Sequence, residues 1–116
     1  MRISAVWYPV RKWAEARRFY EEALGLAATA ASDDAGWAAY STEGGPPFFL
    51  VRAPEQAGGA GGAVVTFACE DIDALRAPVV AAGGRVDPEV QEGPDARILT
   101  FYDPDGNRLE ASERKA

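Results

Sequence analysis

The sequence predicts an α+β fold in which two βαβββ modules place paired, curved mixed sheets around a cleft. Three observations lead there. The order strand, helix, strand, strand, strand is written once in residues 1–53 and again in residues 63–116. Between them lies PEQAGGAGG (residues 54–62), a run with too little bulk to pack, which reads as a flexible linker. Each candidate helix also runs into a glycine, Gly25 or Gly83, the residue best able to take the left-handed conformation that stops a helix. Neither half easily buries a sheet by itself, so the two are expected to share one domain.

In module one, residues 3–10 are rich in β-branched and aromatic side chains and read as a strand. Pro9 lacks an amide donor, which places that strand at an edge or at the end of its ladder. Trp13, Ala16, Tyr20, Ala23 and Leu24 then recur at helical steps. The helix start is poor, because Arg11 and Lys12 offer no capping oxygen and put positive charge at the positive end of the dipole. Strands follow at 26–31, 37–41 and 48–52, separated by SDDAG and TEGGP turns.

In module two, residues 63–68 form a strand and residues 71–82 a helix with Asp71 as N-cap and Ile72, Leu75 and Val79 as its buried stripe. Pro78 lies inside that helix and predicts a kink or an early end. Strands at 84–87, 97–102 and 108–111 complete the module. The last two are joined by Asp103-Pro104-Asp105-Gly106-Asn107, where proline fixes φ and glycine accepts a positive one.

Composition excludes several function classes. A net charge of −6 argues against wrapping nucleic acid, which needs clustered Lys and Arg. Arg11, Lys12, Arg17 and Arg18 interleave with Glu15, Glu21 and Glu22, the pattern of a solvated helix face. No apolar run approaches the ~20 residues that span a bilayer, and the N-terminus lacks the apolar core of a signal peptide, so a cytoplasmic location is expected. Cys69 is the single cysteine, which rules out an intrachain disulfide; within an apolar run and without a histidine base it reads as a small core side chain.

The chain resembles the vicinal oxygen chelate superfamily, which includes glyoxalase I, extradiol dioxygenases, fosfomycin-resistance enzymes and bleomycin-resistance proteins. Three stretches carry the likeness: RFYEEALGL (residues 18–26), EDIDAL (70–75) and FYDPDGNRLE (101–110). The resemblance implies metal ligands on the first and last strands of each module. Counted onto this chain, those positions fall on Ala5, near Leu50, near Val64 and on Glu110. Only Glu110 offers a lone pair to a metal, and the chain contains no histidine. One carboxylate does not hold a divalent transition metal, so the likeness points to a metal-free branch of the bleomycin-resistance type, with no cofactor.

With apolar groups at the ligand positions, the cleft is expected to be dry and aromatic. Trp7, Trp37, Phe48, Leu50, Val64, Thr66, Leu99 and Phe101 are its candidate lining, although core packing is the favoured account of any single aromatic among them, and it is the set that points to a cleft. Three functions fit. The first is metal-independent binding of a hydrophobic or cationic aromatic small molecule, such as an antibiotic or a biosynthetic intermediate. The second is a metal-free isomerase, cyclase or lyase with Glu110 as general acid or base, set against Glu110 simply pairing with Arg108, Arg97 or Arg2. The third is an interaction module that dimerises without a ligand. A homodimer is expected in each case, with the modules paired within one chain or exchanged between two.

Overall fold

In a computed structural model of the protein, residues 5–57 and 64–115 are described. Module one contributes β1 (Val6–Val10), α1 (Trp13–Arg18), β2 (Ala28–Ser32), β3 (Trp37–Tyr40) and β4 (Phe48–Arg52). Module two contributes β5 (Val65–Ala68), α2 (Arg76–Ala81), β6 (Arg85–Val86), β7 (Gln91–Glu92), β8 (Ala96–Tyr102) and β9 (Arg108–Arg114). The first sheet runs β1-β4-β3-β2, and the second runs β5-β9-β8-β6 with β7 also on β8. In each sheet the first strand of the module lies parallel to the last, β1 to β4 and β5 to β9, with antiparallel pairing beyond. Pro9 accordingly sits on an edge strand of its sheet. Residues 3–4 and 63 of the expected first strands, 58–62 of the expected linker, and Arg2, considered as a partner of Glu110, fall outside the described residues.

One core serves both modules. Tyr8, Phe48 and Leu50 from the first sheet meet Leu99, Phe101 and Leu109 from the second around Phe19, Tyr20, Ile72 and Val79 of the helical segments. Tyr20 stacks 5.3 Å from Phe48 while its neighbour Phe19 stacks 6.4 Å from Phe101. Two adjacent residues reach opposite sheets because α1 widens into a π-type turn over Phe19–Ala23. The helical stripe predicts Tyr20 but passes over Phe19, since a regular α-helix turns consecutive side chains about 100° apart. Gly25, at φ 70°, ends the segment as expected.

The second helix also departs from regular form, and Pro78 explains how. Asp71 Oδ1 accepts the Asp73 and Ala74 amides, and a 3₁₀ turn over Asp73–Leu75 precedes α2. That delay makes Pro78 the third residue of α2, within the first turn, where amides lack intrahelical partners anyway. The expected kink is thereby avoided. β7 has no counterpart in the sequence reading; it is two exposed residues held by β8.

The DPDGN turn does more than reverse the chain. Asp103, 3% exposed, accepts the Tyr20 hydroxyl at 2.9 Å and the Asn107 side-chain amide at 2.8 Å on Oδ2, and two backbone amides of its own turn on Oδ1. Asn107 Nδ2 also donates to the Pro9 carbonyl at 2.8 Å. Asp105 Oδ2 accepts the amides of Arg11 and Lys12 just before α1. Asp105 thereby ties the segment that enters α1 to a turn some ninety residues away, while α1 itself keeps no side-chain cap, as its sequence predicts. Burial raises the Asp103 carboxyl above its ordinary value, against the lowering effect of its donors.

Candidate functional site

The edge strands of the two sheets meet at Tyr8. Its hydroxyl donates to the Arg108 carbonyl at 2.7 Å and accepts the Val65 amide at 3.0 Å, stitching β1 to β9 and β5. Burial, reinforced by the negative charges of Asp103 and Glu110, holds the phenol above its ordinary value, so it stays protonated as a structural donor.

Beside this seam opens a cleft of about 680 Å³. Phe48 of β4, Phe67 of β5 and Phe101 of β8 line it together with Val6, Val65 and Leu75. Phe48 and Phe67 meet edge to face at 6.1 Å, one ring from each module. One wall is the chain leaving α1, Leu24–Ala27, which Gly25 turns back towards the sheets. The other is the β3–β4 loop, including Thr42, Glu43 and Pro46. Thr66 and the half-buried free Cys69 complete the lining along β5.

The outward faces of the sheets form a second surface. Trp7 pairs with Phe49 and Phe49 with Ala39, while Pro9, Val51 and Trp37 form the next row. Trp7 is 48% exposed there. On the second sheet, Thr66 pairs with Glu110, and Glu110 with Thr100. Glu110 accepts the Thr66 hydroxyl at 3.0 Å and lies 3.4 Å from the Arg108 guanidinium. Of the basic partners considered from sequence, Arg97 is engaged elsewhere, with Glu92, Asp73 and Glu113.

A family model for the Glyoxalase/Bleomycin resistance protein/Dioxygenase superfamily matches residues 2–111. The chain belongs to that superfamily. None of the curated proteins compared matches it. Among solved structures, it is similar to a glyoxalase/bleomycin resistance protein from Albidiferax ferrireducens, at TM-score 0.79 and 23% identity over 97% of this chain and 98% of that one. A glyoxalase-related enzyme from Fulvimarina pelagi aligns at TM-score 0.80 and 19% identity, covering 98% and 88% of the two chains. TnmS3, an antibiotic binding protein from a Streptomyces species, aligns at TM-score 0.74 and 25% identity over 99% and 97%.

Strand register relates the two modules' ligand positions that the resemblance implies. Trp7 facing Phe49 corresponds to Thr66 facing Glu110. The equivalent of Glu110 in module one is therefore Phe49, not the neighbouring Leu50; Leu50 points into the core and is fully buried, because a shift of one residue along a strand reverses the face. Two residues back from Trp7 and Thr66, Ala5 and Val64 stand at the first-strand positions. The set Ala5, Phe49, Val64 and Glu110 offers one carboxylate, and that carboxylate is bonded to Thr66 and Arg108. Among the described residues no three His, Cys, Asp or Glu side chains come together as a metal cluster. These donors do not fit the divalent metal of the superfamily's metal enzymes.

The eight candidate lining residues divide into three places. Phe48, Thr66 and Phe101 border the cleft. Trp7, Trp37 and Val64 lie on the outward faces, so Trp7 and Trp37 are on the opposite side of their sheet from Phe48 rather than clustered with it. Leu50 and Leu99 are fully buried core. Val65 and Phe67 were legible as the alternate positions of the Ala63–Ala68 strand, but the β3–β4 loop with Glu43 carried no sequence signal for a site.

Proposed function

We propose that this chain is a metal-independent binder of a hydrophobic or cationic aromatic small molecule, acting as a homodimer in the cytoplasm to sequester an antibiotic or hold a biosynthetic intermediate. The observation that carries the proposal is the cleft itself. Phe67 and apolar residues of both modules line a space of about 680 Å³, a volume suited to a drug-sized ligand, and among the described residues no metal-competent donor cluster borders it. The likeness to an antibiotic binding protein supports the same reading. A ring contact with Phe67 at ~0.5–1.5 kcal/mol, added to burial against the cleft's apolar walls, supports affinity without a metal.

Tryptophan emission is a poor probe of this cleft: Trp7 and Trp37 sit on the outward face, and Trp13 is bonded to Asp33 beside α1. Cys69 lines the cleft and is the chain's single thiol. Its reaction with Ellman's reagent is expected to slow when a polycyclic aromatic antibiotic occupies the cleft, equally with and without EDTA. Protection that appears only after adding Mn²⁺, Fe²⁺, Ni²⁺ or Zn²⁺, or that no compound in a broad panel produces, overturns the proposal. Glu110→Gln is expected to leave this protection unchanged; loss of a turnover that wild type displays would instead favour an enzyme.

A further inference from the structure

We infer that the cleft selects aromatic monocations over neutral or anionic molecules of the same shape, and that Glu43 is the residue that makes the selection. The inference rests on the binding function proposed above and names its ligand class. Among the described residues lining the cleft, Glu43 is the one carboxylate, and no Lys or Arg joins it. No described Lys or Arg lies within ion-pair distance of Glu43.

Glu43 lies in a hydrogen-bonded β3–β4 loop at the border of the cleft. Thr42 Oγ1 donates to the Pro46 carbonyl at 2.6 Å, and the Gly45 amide bonds the Thr42 carbonyl at 3.3 Å. Gly44, at φ 67°, supplies the left-handed residue that closes the turn immediately after Glu43. Thr42's hydroxyl is thereby committed to its own loop, and Glu43 remains as the charged group on the rim.

The chemistry then separates ligands by charge. A protonated amine held near Glu43 leaves its aromatic body against the partly exposed Phe67, whose ring also attracts a cation, and the cleft's apolar walls. A neutral analogue keeps the apolar contacts and loses the ionic one. An anion meets Glu43 with no described basic residue in the lining to offset the repulsion, on a chain whose net charge is −6. Because Glu43 is exposed, solvent screens the attraction, and a preference of roughly three- to tenfold is expected rather than a thousandfold one.

The test uses three probes on one skeleton: 1-naphthylmethylamine, 1-naphthalenemethanol and 1-naphthoate, each titrated into wild type and Glu43→Gln with amide chemical shifts as readout. The amine is expected to bind wild type about three- to tenfold tighter than the alcohol, the carboxylate more weakly than both. Glu43→Gln should remove the amine's advantage and leave the alcohol's affinity unchanged, which also reports that the variant is folded. Equal binding of all three probes to wild type overturns the selection while leaving the binding function standing. An amine preference that survives Glu43→Gln overturns the assignment to Glu43. If none of the probes shifts the cleft residues, the binding function and this inference fall together.

Discussion

Replacing Asn107 by alanine tests whether the DPDGN turn fastens one module to the other. The side chain is 5% exposed, and its amide nitrogen donates twice, to the Pro9 carbonyl and to Asp103 Oδ2, both at 2.8 Å. Alanine removes both bonds. It leaves the Pro9 carbonyl without this partner at the seam between modules, and leaves Asp103 Oδ2 with the Tyr20 hydroxyl. Leaving the Pro9 carbonyl without this donor costs about 1–2.5 kcal/mol, and losing the bond to Asp103, which keeps Tyr20, about 1–1.5 kcal/mol, so the pair should cost about 2–4 kcal/mol. Against a total stability of about 5–15 kcal/mol that is a large fraction, equivalent to a Tm lower by roughly 8–16 °C for a domain of this size. Urea unfolding of wild type and Asn107→Ala measures it, with Arg108→Ala as control. Arg108 is exposed and 3.4 Å from Glu110, so its loss should stay within about 0.5 kcal/mol. A loss below 1 kcal/mol for Asn107→Ala would refute the account of the turn as a fastening between modules.

Asp103 supplies a pH signature of the same contact. Its folded carboxyl is raised above the unfolded value, so the native state binds the proton more readily; relative to Asp103→Asn, wild type should gain stability as pH falls through the raised value towards the ordinary carboxylate range, and lose it as pH rises. Parallel pH profiles of thermal unfolding for the two proteins would contradict this. Gly84→Ala should cost about 2–3 kcal/mol, because a Cβ there would lie 2.6 Å from the Tyr102 carbonyl oxygen and 2.6 Å from the Phe19 ring. Gly25→Ala meets no neighbour within 4 Å and should cost only about 1 kcal/mol, through its positive φ; equal losses in urea titrations would show that crowding is not what matters at Gly84. Trp7→Asp is expected to shift the proposed homodimer towards monomer in sedimentation velocity, since Trp7 stands half exposed on an apolar face with Phe49 and Val51. A wild type that sediments as a monomer at ~100 μM would dispose of the dimer.

Much of the fold was legible because its signals are local. The β4 limits, Phe48–Arg52, follow from composition between turn residues, and Gly25 and Gly83 stop their helical segments with φ 70° and 89°. The doubled order of elements, the turn at residues 103–107 and the absence of histidine are properties of the chain alone. Together they settle the α+β fold.

What a strand faces, however, depends on a partner some forty residues away. Only the parallel pairing of β1 with β4 sets Trp7 opposite Phe49, sends Leu50 into the core and separates Phe48 from the tryptophans. Periodicity fixes which residues share a face but not which face turns inward. The π-type turn that buries both Phe19 and Tyr20, and the Asp105 bonds to the segment before α1, likewise satisfy contacts made across modules. The cleft, finally, exists because Phe48 and Phe67 meet from opposite halves of the chain beneath a loop carrying Glu43. Tertiary packing decided where the space lies and, among the described residues, which charge borders it, since neither is a property of any one segment.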